Sequence, residues 1–397
     1  MATFAVSFLG CKVSHTDAQA VRERLLAGGH EERAGRSADV AVVNTCCVTH
    51  EALRKSRHAA SRLARAHARV YVTGCGANLA ADAFAGLPEN VVVVPKRSEE
   101  TPAFVAGDVG AIGCVQAHAR LDRVRAFVKV QDGCSFSCSF CVIPLVRGAS
   151  RSRPAAAVLA EIRRRVAQGH REVVLTGINL GCYRDREAGY RLPRLIREAG
   201  AIPGLARLRL SSIEVNHLDE ELAAAMRETP TASPHLHVPL QSGDDCVLRA
   251  MARRYDAATY LHRVALVRDF NLTTDVIVGF PGEDERAFSN TLAVVDEAGI
   301  SSIHVFPYSP RPGTATSAAD TVPKAVKRER SARLRAVSRD RCLARWREKI
   351  GRHDVVLVDR PGRGYGNDYS PWLVRGRVGE LVRVRGRAVT GEGILAA

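Results

Sequence analysis

Short apolar runs alternate with amphipathic stretches through most of the chain. In the first third, residues 4–9, 40–43, 70–73 and 91–94 read as buried strands, and helical periodicity covers 17–27 and 50–66. Strands alternating with helices predict a parallel sheet covered on both faces. A Gly- and Ala-containing stretch at 107–118 then marks a boundary. A second series predicts strands at 127–131, 172–176, 208–212, 235–238, 275–279 and 302–306. Helical patterns lie between them, including 155–168, 220–228, 257–269 and 285–298. Six such units predict a full or partial α/β barrel, with its working residues at the C-terminal strand ends. Residues 324–352 read as a helical segment with twelve Lys/Arg against three acidic residues. Beyond Asp354 the pattern changes to short β-like runs at 355–358, 372–375 and 381–385, broken by glycines, which predicts a small β-barrel. The expected division is 1–118, 119–352 and 353–397, with no internal repeat.

Composition narrows the class. At 46% hydrophobic and 25% charged residues, the 397-residue chain is neither disordered nor a small disulfide scaffold. No apolar run is long enough to span a bilayer. Phe8-Leu9-Gly10-Cys11 faintly resembles a lipoprotein cleavage site, but it lacks a basic leader and reads as the end of a first strand. A formal charge of +16 favours an anionic partner such as nucleic acid. Eleven cysteines without a secretion signal suggest the cytoplasm, where ordered spacing points to metal or catalysis.

The sharpest local signal is Gly133-Cys134-Ser135-Phe136-Ser137-Cys138-Ser139-Phe140-Cys141, in a loop after a predicted strand. Three thiolates so spaced can hold three corners of a 4Fe–4S cluster and leave one iron open. A structural zinc would want a fourth protein ligand. Three more cysteines, Cys11, Cys46 and Cys75, each follow a predicted parallel strand, where ligands of open α/β sheets gather. Scattered cysteines are otherwise small buried hydrophobes. Their common placement predicts a second three-thiolate cluster. The side chain of Cys47, next to Cys46, is expected to point elsewhere, and Cys114, Cys182, Cys246 and Cys342 are expected to be structural.

The Cys134/Cys138/Cys141 loop, with Phe140 before its last cysteine, resembles the signature of the radical S-adenosylmethionine (SAM) superfamily. Over nearly its whole length the chain resembles that superfamily's methylthiotransferases. The resemblance implies an α/β protein with an N-terminal flavodoxin-like parallel sheet, a central partial barrel and a C-terminal module like the RNA-holding TRAM domain. It implies two 4Fe–4S clusters, SAM as cofactor, a reducing electron donor and a sulfur source. It further implies that Thr176, Gly177 and Asn179, then Ser211 and Glu214, and then Gln241 lie on the cofactor shelf. Ser, Asn and Gly after strands are equally ordinary turn and cap residues. Arg253 could pair with the methionine carboxylate or be a solvated helix charge. Leu9-Gly10-Cys11-Lys12-Val13, Asn44-Thr45-Cys46-Cys47-Val48-Thr49 and Arg54-Lys55-Ser56-Arg57 are similar to the branch acting on N6-threonylcarbamoyladenosine beside the tRNA anticodon. Ser14 stands where that branch more often has Asn. The implied reaction places a methylthio group on carbon 2 of the adenine. Alternatives are the same chemistry on isopentenyladenosine tRNA or a ribosomal protein side chain, or a zinc-holding RNA-binding protein.

Overall fold

The computed structural model describes residues 2–33, 35, 38–97, 99–110 and 124–397. Most of the boundary stretch 107–118, with Cys114, lies outside the described residues, although Gly107 to Val109 close the helix Thr101–Val109. The chain divides into two compact units.

The first unit comprises residues 1–120, 132–150 and 309–318. Its sheet is wholly parallel, in the order Glu31–Glu32, Thr3–Phe8, Val40–Thr45, Arg69–Gly74, Val91–Val93. This is the flavodoxin-like order, in which the strand sequence reverses beside the first strand and leaves a crevice at the carboxyl ends. All six residues of Val40–Thr45 are buried because helices cover both faces. Val40 and Val42 pack with Phe4, Val21 and Leu25, while Ala41 and Val43 pack with Ala60, Val70 and Phe84. Helix His50–Ala64 starts where the Thr49 hydroxyl accepts from the Ala52 N–H at 3.1 Å. Helix Lys12–Ala27 starts five residues before the expected position because Cys11, in extended backbone, is its N-cap.

The second unit comprises residues 121–131, 151–308 and 319–397. Strands Arg125–Lys129, Glu172–Thr176 and Arg207–Leu210 form one parallel sheet, and His235–His237, Asn271–Val278 and Ser302–Pro307 another. Parallel bridges Leu208–Ala232 and Ser212–His237 join them, so the six strands run in chain order as a partial barrel. Helices Leu192–Gly200 and Asp245–Ala250 add to those expected; the second is capped by Asp244, which accepts from Cys246 and Val247 N–H. Helix Ala257–Ala265 ends four residues early, and strand Asn271–Val278 begins four residues early.

Five strands then close a barrel in the order His353–Arg360, Arg363–Tyr365, Pro371–Leu373, Gly393–Ala396, Leu381–Thr390. Val356, Val358, Trp372, Val384 and Ile394 fill it. The barrel seats on the N-terminal ends of the parallel strands. Arg207 donates to the Val355 and Tyr365 carbonyls at 2.6 and 3.1 Å, and Arg209 to the Gly366 and Asn367 carbonyls at 2.7 and 3.1 Å. Both guanidiniums also bind the buried Glu172, at 3.0 and 2.8 Å. The basic helix Lys324–Arg347 spends part of its charge inside this unit, through Arg330–Glu283 at 2.6 Å, Arg333–Glu285 at 2.6 Å and Arg341–Asp296 at 2.7 Å.

Candidate active site

Cys11, Cys46 and Cys75 follow the first, third and fourth strands of the N-terminal sheet and converge at its carboxyl edge. Gly10 makes this possible: its φ is +122°, and a Cβ there would lie 2.8 Å from the Ser14 hydroxyl and 3.1 Å from the Cys46 Cβ. The Cys11 Sγ is 3.6 Å from the Ser14 hydroxyl. Ser56 clasps the Cys46 backbone, accepting from its N–H and donating to its carbonyl, both at 3.1 Å. Burial, with the Cys75 and Cys11 thiols adding to it, pushes the Cys46 thiol up to about 11. The expectation that Cys47 points away is corrected: its fully buried thiol hydrogen-bonds the Cys75 sulfur, lowering Cys75 and raising itself. Cys75 and Cys47 pack with Val142 and Val146, so these two thiols lie against the segment that follows Cys141.

That segment contributes a residue the sequence reading missed. Buried Arg147 donates from Nε to the Cys75 Sγ at 3.1 Å, from Nη1 to Asp132 at 2.9 Å and from Nη2 to Asp17 at 2.7 Å. Burial opposes its charge, but Asp17, Cys75 and Asp132 hold its pKa well above the ordinary value. A soft thiol trio with a cation donating to one sulfur suits a thiolate-bound cluster, because hydrogen bonds to sulfur are a main lever on such groups. The signal available was an arginine, Arg147, closing the apolar run Val142 to Val146.

Cys134, Cys138 and Cys141 lie half-buried in the loop of the same unit. Gly133 turns the chain into it with φ +70°, packed so tightly on the Ala149 carbonyl that no side chain fits. The Cys134 N–H donates to the Gly148 carbonyl at 3.0 Å, the Cys141 N–H to the Cys138 carbonyl at 3.0 Å, and the Phe136 N–H to the Cys134 Sγ at 3.4 Å. Thr316 holds the Ser139 carbonyl from its hydroxyl at 3.0 Å. The three sulfurs therefore sit on a pinned loop, and Phe140 is half-buried within it.

In the second unit, the expected shelf residues form two groups. The Gly177 N–H donates to the Ser211 hydroxyl at 3.3 Å, and the Asn179 N–H to the Gln131 Oε1 at 2.8 Å. The Thr176 hydroxyl and the Asn179 Oδ1 are buried without a hydrogen-bond partner, which sets them apart from most buried polar groups. Glu214 and Arg253 pair at 3.0 Å, and Arg253 also donates to the Tyr255 hydroxyl at 3.2 Å. Arg253 is buried just beyond helix Asp245–Ala250, so it is not a solvated helix charge. Gln241 holds left-handed backbone at φ 65°, the kind of local strain that clusters at functional sites. The sequence reading also missed His237, Asp275 and His304 on adjacent strands. One Asp275 oxygen lies 3.1 Å from His237 and 3.2 Å from His304. Cys182 lies 3.2 Å from the His217 Nε2, and the Cys342 thiol donates to the Ser301 carbonyl at 3.2 Å.

Comparison with known proteins gives this arrangement a class. The radical SAM superfamily matches residues 128–295, and uncharacterized protein family UPF0004 matches residues 3–95. The fold is similar to that of the radical S-adenosylmethionine methyltransferase TsrM from Kitasatospora setae, with a TM-score of 0.58 at 16% identity, over 80% of this chain and 75% of that one. It is also similar to the cobalamin-dependent radical enzyme OxsB, with a TM-score of 0.51 at 8% identity, over 84% and 56%. Threonylcarbamoyladenosine tRNA methylthiotransferase MtaB of Chlamydia pneumoniae is 36% identical over 412 residues, covering 99% of this chain and 97% of that protein. MtaB of Bacillus subtilis is 35% identical over 97% and 94%. The tRNA-2-methylthio-N(6)-dimethylallyladenosine synthase of Sorangium cellulosum is 36% identical over 92% and 84%. The chain belongs to the radical SAM methylthiotransferase family. Among the described residues, no helix is long and apolar enough to cross a membrane.

Proposed function

We propose that this enzyme inserts a methylthio group at carbon 2 of N6-threonylcarbamoyladenosine beside the tRNA anticodon, in the cytoplasm. It does so with SAM and two 4Fe–4S clusters, drawing on a reducing electron donor and a sulfur source. The observation that carries this reading is the gathering of Cys11, Cys46 and Cys75 at one sheet edge, in a chain that also holds the Cys134/Cys138/Cys141 loop. Near full-length likeness to the MtaB proteins supports the choice of substrate.

Bound clusters would supply one-electron reducing chemistry toward the SAM sulfonium and a place to hold the transferable sulfur. Cys134, Cys138 and Cys141 would hold the first cluster and Cys11, Cys46 and Cys75 the second, with Arg147 fixing the Cys75 sulfur through its hydrogen bond. Thr176, Gly177, Asn179, Ser211, Glu214, Gln241 and Arg253, with Phe140, bind and orient SAM. The orphaned Thr176 and Asn179 oxygens are suited to accept hydrogen bonds from its amine or ribose. The target adenine must leave its stack, which costs least in a single-stranded loop. Segments 1–118, 119–352 and 353–397 then divide the work into sulfur carriage, radical chemistry and RNA grip. Arg383, Arg385 and Arg387 alternate with buried positions and share one exposed face of strand Leu381–Thr390, which suits phosphate contact.

The test compares reconstituted enzyme on anticodon-loop RNAs bearing threonylcarbamoyladenosine, isopentenyladenosine or plain adenosine, read by nucleoside mass spectrometry. Methylthiolation of the first is expected. A second reading, action on the isopentenyl substrate, is favoured by the likeness to the Sorangium protein; turnover of that substrate alone would establish it. Turnover on a ribosomal protein instead would overturn the RNA reading.

A further inference from the structure

His237, Asp275 and His304 have no use in the chemistry so far. Along strand Asn271–Val278, Leu272, Val276 and Val278 pack into the hydrophobic core beneath the helices, as do Leu236 and Val238 on one neighbouring strand and Ile303 on the other. Alternation therefore turns His237, Asp275 and His304 to the opposite face, the interior of the partial barrel. Parallel register sets Asp275 beside His304, and His237 beside Thr273 on the same strand as Asp275. The Asp275 carbonyl accepts from the Gln241 N–H at 2.8 Å, so the trio stands next to the expected cofactor shelf.

One nitrogen of each ring and a carboxylate oxygen all lie within 4.8 Å of one another. Ligands at about 2.0–2.1 Å from a tetrahedral zinc stand about 3.3–3.4 Å apart. Here the His237 Nε2 and the His304 Nδ1 lie 3.1 and 3.2 Å from the Asp275 Oδ1. The third edge, between the imidazoles, can adjust by a turn of the His304 ring, whose side chain is 61% exposed. The Thr273 hydroxyl stands 2.9 Å from the His237 Nδ1 and 3.2 Å from the His235 Nε2. A proton on Nδ1, held by that hydroxyl, leaves Nε2 its lone pair; metal-binding histidines are supported in this way. Burial works to raise the Asp275 carboxyl, but His237 and His304 outweigh it and hold the group well below its ordinary value, so it is an anion at neutral pH. Two imidazoles with one carboxylate select a divalent transition ion over calcium or magnesium, which take oxygen ligands.

We propose that His237, Asp275 and His304 form a mononuclear site for a divalent transition-metal ion of the zinc type, built from residues other than the two cysteine trios. The ion takes the place of the protons that now join the two rings to Asp275. Three protein ligands leave a further position open to the barrel interior, where water or an oxygen or nitrogen donor of a bound molecule completes the shell. Thr273 is a positioning residue, acting on the ion through His237 alone.

The test uses the full-length, reconstituted holoenzyme, equilibrated by dialysis against a series of zinc(II) concentrations. Bound zinc per chain is read by elemental analysis, and its ligands by X-ray absorption at the zinc edge. The parent should hold about one zinc with nitrogen and oxygen neighbours, imidazole among them. His304→Ala, at an exposed position, should raise the dissociation constant about a hundred-fold or more, and Asp275→Asn should do the same. Thr273→Val should weaken binding about ten-fold, the effect of losing an outer support; a trio held only by hydrogen bonds gives no such series. Equal zinc affinity in parent and His304→Ala overturns the proposal, as does a parent that binds no zinc or binds it only through sulfur. If Asp275→Asn does not fold, His304→Ala decides. Iron and sulfide analysis of the same samples reports on the cysteine trios, so a failure of the cluster reading is distinguishable from a failure of this site.

Discussion

Replacing Glu172 by Gln tests how the C-terminal barrel is held. The Glu172 side chain is 1% exposed and accepts from the Arg207 Nη1 at 3.0 Å and the Arg209 Nε at 2.8 Å, with the Arg125 Nε at 3.9 Å. The same arginines donate to barrel carbonyls, so the carboxylate neutralises the charges that fasten the module. Gln keeps the shape and removes the charge. Leaving buried guanidiniums without their counter-ion costs about 3–5 kcal/mol, roughly a 6–20 °C fall in melting temperature for a unit of this size. Urea unfolding, followed by the fluorescence of Trp372 in the barrel core, reads the change.

The pH dependence sharpens the test. Burial works to raise the Glu172 carboxyl, but Arg209, Arg207 and Arg125 outweigh it and hold the group below its ordinary value. Its stabilisation is therefore fully present above the unfolded-state pKa of about 4.3 and is lost as pH falls through the lower folded value. The gap between parent and Glu172→Gln should be constant from about pH 6 to 8 and close under acid. A substitution costing less than about 1 kcal/mol at pH 7, the level of a surface pair, would refute the account of the seat.

Two further outcomes follow from the site. Arg147→Gln removes the donor to Cys75 and leaves Asp17 and Asp132 buried without their cation; iron retained by the N-terminal site after desalting should fall several-fold, with Arg147→Lys between the two. Arg253→Met frees Glu214 of its partner and should raise the half-saturating SAM concentration for 5′-deoxyadenosine formation about ten-fold, the worth of one charge-assisted hydrogen bond, while an unchanged value would remove Arg253 from the cofactor shelf.

The strands and the cysteines that end them were legible because buried parallel strands read as continuous apolar runs and each of Cys11, Cys46 and Cys75 stands within three residues of the end of one. Strand Glu172–Thr176 and helix Glu220–Glu228 have the expected bounds. What surrounds the thiols was not legible. Asp17 comes from one segment and Asp132 and Arg147 from another, and nothing in local periodicity says that a charged residue faces inward. Arg207-Leu208-Arg209-Leu210 shows the same limit: alternation reads as one polar, solvated face, yet all four residues are buried because the barrel covers the arginines. The barrel strands Arg363–Tyr365 and Gly393–Ala396 were missed because they are short and rich in glycine. Truncation from Asp354 is consequently a poor probe of RNA binding. It would strip Arg207 and Arg209 of their carbonyls and destabilise the parallel strands they belong to.

Point substitution on the barrel surface gives a cleaner probe, and the seating of the barrel adds a length requirement. The barrel packs on the N-terminal ends of the parallel strands, whereas Gly177, Ser211 and Gln241 follow their C-terminal ends. A strand of five residues spans about 17 Å, so a base held at one end and phosphates held at the other must belong to an RNA long enough to bridge them. With Arg383, Arg385 and Arg387 replaced by Gln, affinity for full tRNA should fall and the slope of log affinity against log salt should become shallower by about 2–3, since each lost phosphate contact removes roughly 0.7–0.9 from it. A bare anticodon loop, too short to reach the barrel, should bind weakly to the parent and equally weakly to the variant. Turnover per bound loop should not change, because the replaced residues lie on the exposed face of Leu381–Thr390 and touch no shelf residue. Loss of affinity for the short loop in the variant would place the arginines near the reacting base and refute the two-ended arrangement.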